Sequence, residues 1–104
     1  MIQPTIVPDI KKQVVYGNGK PQPAFLFENE RIKVVAGGLK AGQSIPEHPE
    51  ALAVYYILEG KGQMVVDGER LAVGPGTTVV TAAGSRRGMV AETQLSFLAT
   101  RIAP

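Results

Sequence analysis

The sequence predicts an all-β domain, either a barrel or a double-sheet sandwich. No segment sustains a 3.6-residue apolar period capped at both ends, so no long amphipathic helix is expected. Short apolar runs instead alternate with turn signals, at the spacing of strands in a closed or double-layered β fold. Glycine (12) and proline (8) fill 20 of the 104 positions, which favours many turns and opposes long helices.

Taken in order, Gln13 to Tyr16 reads as a first strand, ended by the turn sequence Gly17-Asn18-Gly19. Ala24 to Glu28 and Arg31 to Ala36 read as a hairpin across Asn29-Glu30, with Ile32, Val34 and Ala36 on one face and Arg31 and Lys33 on the other. Gly37-Gly38 is expected to break or bulge that strand. Ala53 to Leu58 is apolar on both faces and reads as a covered, central strand. Gly60-Lys61-Gly62 turns the chain into Gln63 to Val66, and Asp67-Gly68 is the strongest hairpin signal present. Glu69 to Val73 returns, Gly74-Pro75-Gly76 turns again, and Thr77 to Thr81 is rich in β-branched residues. After Gly84, Met89-Val90 and the alternating segment Gln94 to Arg101 complete about eight to ten strands, the last with Leu95, Phe97 and Ala99 on one face. Residues 1–104 are expected to form one domain, with residues 1–12 as an N-terminal arm.

Composition excludes several classes of function. The absence of cysteine removes disulfide scaffolds, thiolate nucleophiles and iron–sulfur sites, and the lone histidine, His48, forbids a two-histidine metal site within one chain. The net charge of +2 is spread over scattered basic residues, with pairs only at Lys11-Lys12 and Arg86-Arg87, so nucleic acid is not an expected partner. No apolar run approaches the roughly 20 residues of a membrane span, and the start lacks the pattern of a signal peptide. A cytoplasmic protein is the expectation.

Residues Gly42 to Gly62, with His48, Tyr55-Tyr56-Ile57-Leu58-Glu59 and Gly60, resemble the first motif of the cupins, G-x5-H-x-H-x3,4-E-x6-G. Gly76 to Arg87 resembles their second, G-x5-P-x-G-x2-H-x3-N. The likeness runs from about residue 30 to 101 and implies a single jelly-roll barrel, the double-stranded β-helix. Carried over position by position, His48 matches the first metal ligand. Glu50 stands at the second histidine position and Ala53 at the glutamate. Arg87 replaces the histidine of the second motif, Ala82 its proline and Ala91 its asparagine. One imidazole and one carboxylate facing a permanently charged guanidinium make a poor transition-metal site.

The resemblance implies an inward Ala53, from which alternation turns Tyr55 and Ile57 inward and Tyr56 and Leu58 outward, and an inward Arg87 would bring Met89 with it. His48, Glu50, Tyr55 and Arg87 are therefore the candidate ligand-binding residues of an otherwise apolar cavity. Three placements of Arg87 are open: gripping an acidic ligand through paired N–H groups, pairing with Glu50 in place of the metal, or exposed. Met64, Met89 and the three phenylalanines read as packing residues. The leading expectation is a cupin without the usual metal centre or any other cofactor, binding a small molecule for which Arg87 favours an anion. A metal-dependent or acid–base enzyme of isomerase or dioxygenase type is the second, with His48 and Glu50 as proton-transfer pair or as ligands of a divalent metal ion. A dimeric structural or regulatory module with a filled barrel is the third. The resemblance also implies a homodimer formed through sheet faces and the arm, where Ile2, Ile6, Val7 and Ile10 are apolar.

Overall fold

The computed structural model describes residues 3–103. Nine strands follow a single turn of 3-10 helix at Ile10–Gln13: β1 Ala24–Glu28, β2 Ile32–Leu39, β3 Ser44–Pro49, β4 Leu52–Glu59, β5 Gly62–Val66, β6 Glu69–Val73, β7 Thr78–Thr81, β8 Arg86–Ala91 and β9 Leu95–Ile102. They form two antiparallel sheets, one in the order β1-β2-β9-β4-β7 and the other β3-β8-β5-β6. This is a jelly roll, a double-stranded β-helix. No helix among the described residues is long and apolar enough to cross a membrane.

The core lies between the sheets. From the first sheet it takes Val35, Leu39, Ala53, Tyr55, Ile57, Leu95, Phe97 and Ala99, and from the second Met64, Val73, Met89 and Ala91. In β4 the expected alternation holds: Ala53, Tyr55 and Ile57 are buried inward and Tyr56 faces out. At the β5–β6 hairpin, Asp67 (φ 47°) and Gly68 (φ 83°) both adopt the left-handed conformation that a two-residue turn requires.

Several expectations are corrected. Gln13 to Tyr16 is not a strand. Gln13 ends the 3-10 turn, which Asp9 caps by accepting from the Lys11 amide, and Val15 makes only an isolated bridge to Gln22. Gly37-Gly38 does not interrupt β2, whose pairing with β9 runs unbroken from Ile32 to Leu39. The glycines serve close approach instead: a Cβ at Gly37 would lie 2.3 Å from the Phe97 ring, and one at Gly38 would lie 2.5 Å from Val14. Those contacts also decide which face of β2 the core takes. Val35, Gly37 and Leu39 point into the barrel, while the face of Val34, Ala36 and Gly38 lies where the Val14–Tyr16 segment packs. Phe97 is buried, but Phe25 and Phe27 on edge strand β1 are 60% and 40% exposed and do not pack into the core. Ser44–Pro49 is a strand that its two prolines concealed; it pairs only with β8, and an edge position tolerates the missing donors. Of the arm, Ile6 is exposed and Ile10 opens the 3-10 turn, while Ile2 lies outside the described residues.

Candidate functional site

The site begins with a bulge. Between β3 and β8, Ile45 lies opposite Met89 and His48 opposite Arg87, so three steps on one strand answer two on the other. The extra residue lets Ile45 and His48, of opposite parity, both turn into the barrel. Gly88 makes room for it, because a Cβ there would meet the Ile45 carbonyl oxygen at 2.5 Å. The His48 ring lies 3.0 Å through Nδ1 from the Pro46 carbonyl oxygen and remains 43% exposed at the barrel mouth.

A cavity of about 560 Å³ opens between the sheets at this point. Val35, Tyr55, Met64, Met89, Phe97 and Ala99 form its apolar walls, Lys20, Pro21 and Pro23 also line it, and His48, Arg87 and Arg101 supply charge or polarity. The rings of Tyr55 and Phe97 pack tilted, with centroids 6.3 Å apart. An apolar hollow with a few polar groups at one end is suited to holding a small molecule of mixed character.

Of the four candidate residues, three line this cavity: His48, Tyr55 and Arg87. Glu50 does not. Its carboxylate lies on the rim, with Oε2 3.7 Å from His48 Nε2 and 3.4 Å from Arg101 Nη1, and it lines a shallower groove outside. Arg87 is inward and 1% exposed, while its neighbour Arg86 is exposed. Its guanidinium, however, is turned onto the backbone. Nη1 donates to Ala51 O (2.6 Å), Nη2 to Ala82 O (2.8 Å), Ser85 O (2.9 Å) and Glu50 O (3.1 Å), and Nε to Ser85 O (3.2 Å). Of the three open placements, exposure is excluded, the N–H groups that would grip an acid are occupied by carbonyls, and Glu50 pairs with Arg101 in place of Arg87. The physical reason is the convergence of two loops, β3–β4 and β7–β8, whose carbonyls meet at the guanidinium, those of Ala51 and Ser85 having no other protein donor among the described residues.

Arg101 is the residue that sequence reasoning passed over. It lines both the cavity and the outer groove, and its Nε is buried with no hydrogen-bond partner among the described residues. The signal was present: Arg101 continues the series Leu95, Phe97, Ala99 at a spacing of two, so alternation alone turns it inward.

Residues 32–100 match the family described as Cupin domain. The chain belongs to the cupins. Among solved structures, this cupin is similar to a conserved protein of unknown function from Streptococcus pyogenes, at 24% identity and a TM-score of 0.85 over 99% of this chain and 91% of that one. It is also similar to a protein from Thermus thermophilus, at 26% identity and a TM-score of 0.84 over 94% and 98%. A third similar structure, from Thermotoga maritima, is described as a predicted oxalate decarboxylase and aligns at 25% identity and a TM-score of 0.77 over 83% of each chain. No curated protein matches the sequence.

The metal of the family motif does not suit the residues present. Ala53 offers a methyl group, Arg87 fills its position with a cation bound to carbonyls, and Glu50 is paired with Arg101. Among the described residues no three His, Cys, Asp or Glu side chains gather as a metal site. A divalent ion beside His48 would find one imidazole and one distracted carboxylate, with two guanidinium groups nearby.

Proposed function

We propose that this cupin binds a small molecule, apolar in its body and acidic at one end, inside the barrel and without a metal centre. The observation that carries this reading is the 560 Å³ cavity, apolar along its walls and polar at one edge. That volume lies within the range of about 300–1,000 Å³ in which small-molecule sites fall. The cationic edge favours an acid over its neutral counterpart. Oxalate, in the name of the Thermotoga structure, belongs to the same chemical class of small carboxylates.

The test is a melting-temperature and calorimetric screen of benzoate, phenylacetate, hexanoate and oxalate, each organic acid against its amide. A ligand bound only by the folded state, at about 100 times its Kd, adds about 2.7 kcal/mol. At roughly 4–8 °C per kcal/mol in a domain of this size, the shift is readily read. We expect at least one acid with an apolar body to raise the melting temperature more than its amide does. Absence of any shift or binding heat at millimolar concentration across the panel overturns the reading.

We also propose that two copies associate through the outer face of the five-stranded sheet. Leu52, Tyr56, Val80 and Ile102 are 37%, 42%, 65% and 37% exposed, and their pairing partners place them on one face. An uncharged apolar patch is complementary to itself, as a two-fold interface requires.

A further inference from the structure

We propose that Arg101 receives the acidic group of the ligand, and that Glu50 is the protein's own stand-in for that acid, displaced when the ligand binds. This rests on the reading of the cavity as a ligand site and says which residue decides its specificity.

Among the described residues, four cationic or ionisable nitrogen side chains line the cavity: Lys20, His48, Arg87 and Arg101. Arg87 is committed to carbonyls of two loops, and moving it would break all of these bonds at once and leave the Ala51 and Ser85 carbonyls without a donor. His48 is engaged with the Pro46 carbonyl through Nδ1. Lys20 lies on an exposed loop, where an ammonium stays hydrated on a flexible stem. Arg101 differs from all three. It rises from the interior face of β9 between Ala53 on β4 and Lys33 on β2, and the small side chain at 53 leaves room beside it.

Its bonding is also incomplete. Nε is buried without a partner, and among the described residues the only ion pair of its guanidinium is the 3.4 Å approach of Nη1 to Glu50 Oε2. That is longer than the about 2.7–2.9 Å of a charge-assisted hydrogen bond. The Glu50 side chain is 27% exposed and has a second anchor of its own, since Oε1 accepts from the Ala51 amide at 3.2 Å. A loose, partly solvated pair of this kind contributes little to stability. Exchanging one carboxylate for another therefore costs little, and a ligand acid approaching from the cavity side can take over the guanidinium from Glu50. The apolar body of the same ligand would then lie against Phe97, Met64 and Met89.

The experiment compares acid and amide binding by calorimetry in the wild type, Arg101→Met, Arg101→Lys, Glu50→Gln and Lys20→Met, with phenylacetate and phenylacetamide as probes. Arg101→Met should weaken the acid about tenfold or more and leave the amide within about twofold, since only the acid uses the charged donor. Arg101→Lys should recover part of the loss, and Glu50→Gln should tighten the acid about threefold to tenfold by removing its competitor. Equal loss of acid and amide in Arg101→Met, with its melting temperature lowered, marks a structural role and overturns the assignment. So does acid binding that survives Arg101→Met and fails in Lys20→Met. Acid binding in the wild type that ignores all these changes overturns Arg101 while leaving the cavity reading intact. If the wild type binds neither probe, acid binding by Glu50→Gln still upholds the exchange, and its failure there overturns it.

Discussion

A guanidinium carries five N–H groups and no acceptor, so its geometry must be met by oxygens on several sides. At Arg87 these are carbonyls from Glu50 and Ala51 on one loop and Ala82 and Ser85 on another. The residue works as a cross-link at the barrel end, in the place where the family motif has a metal-binding histidine. Arg87→Met should therefore destabilise the fold by about 1–3 kcal/mol in urea unfolding, because the Ala51 and Ser85 carbonyls lose their donor while those of Glu50 and Ala82 keep the Gly84 and Ser85 amides. Arg87→Lys should lose nearly as much, since one ammonium cannot span both loops. A loss below about 0.5 kcal/mol in either variant would show that the cross-link contributes nothing. That position 87 could face inward was legible from its place in the motif, and the structure decides it against exposure. What it bonds to was not, because carbonyls from four residues up to 37 positions away carry no side-chain signature in the sequence.

Among the elements, the hairpins with explicit turn chemistry were the most legible. Asp67-Gly68 joins β5 to β6 as its sequence predicts, and its carboxylate does more than shape the turn. It accepts from the Arg86 amide (2.8 Å) and from Ser85 Oγ (2.9 Å), tying this hairpin to the start of β8. The Arg86 backbone hydrogen bond, helped by Ser85, lowers the Asp67 pKa below its ordinary 3.8. A lowered folded-state value means that the native protein binds this proton less readily than the unfolded chain does. The contribution is then present above the unfolded value and lost as pH falls through the folded one. Asp67→Asn keeps a residue that tolerates the left-handed turn, so it should be less stable than the wild type at neutral pH. That gap should close as pH drops through the range below 3.8, in urea unfolding at a series of pH values. A gap constant down to pH of about 2 would remove Asp67 from the acid response. Strand β3 was illegible for the opposite reason. Pro46 and Pro49 argue against a strand by local rule, and only its place at a sheet edge, with a bulge at Pro46-Glu47, makes them compatible with pairing.

At the scale of the molecule, the two sheets differ in how they meet solvent. The five-stranded sheet turns Leu52, Tyr56, Val80 and Ile102 outward, and the dimer proposed through that face predicts its own disruption. Light scattering should give the mass of two chains for the wild type at about 50 µM, and Val80→Asp should give one, since a charge desolvated at a two-fold axis is met by its own copy. A single-chain mass for the wild type would refute the interface. The same packing explains the two faces of β2. Periodicity identified Ile32, Val34 and Ala36 as one face and offered no means of saying which face the core would claim. The approach of Phe97 to Gly37 and of Val14 to Gly38 decides it.

The sequence by itself determined the fold class, most of the strands and the alternation that groups Ala53 with Tyr55 and Ile57 and Arg87 with Met89, because turn chemistry and alternation are local rules written residue by residue. Tertiary structure alone decided which charges meet. The bulge that turns His48 inward, the carbonyls that take Arg87 and the pairing of Glu50 with Arg101 all depend on segments far apart in the chain. A hydrogen bond reads distance and direction in space, and neither is encoded in spacing along the chain.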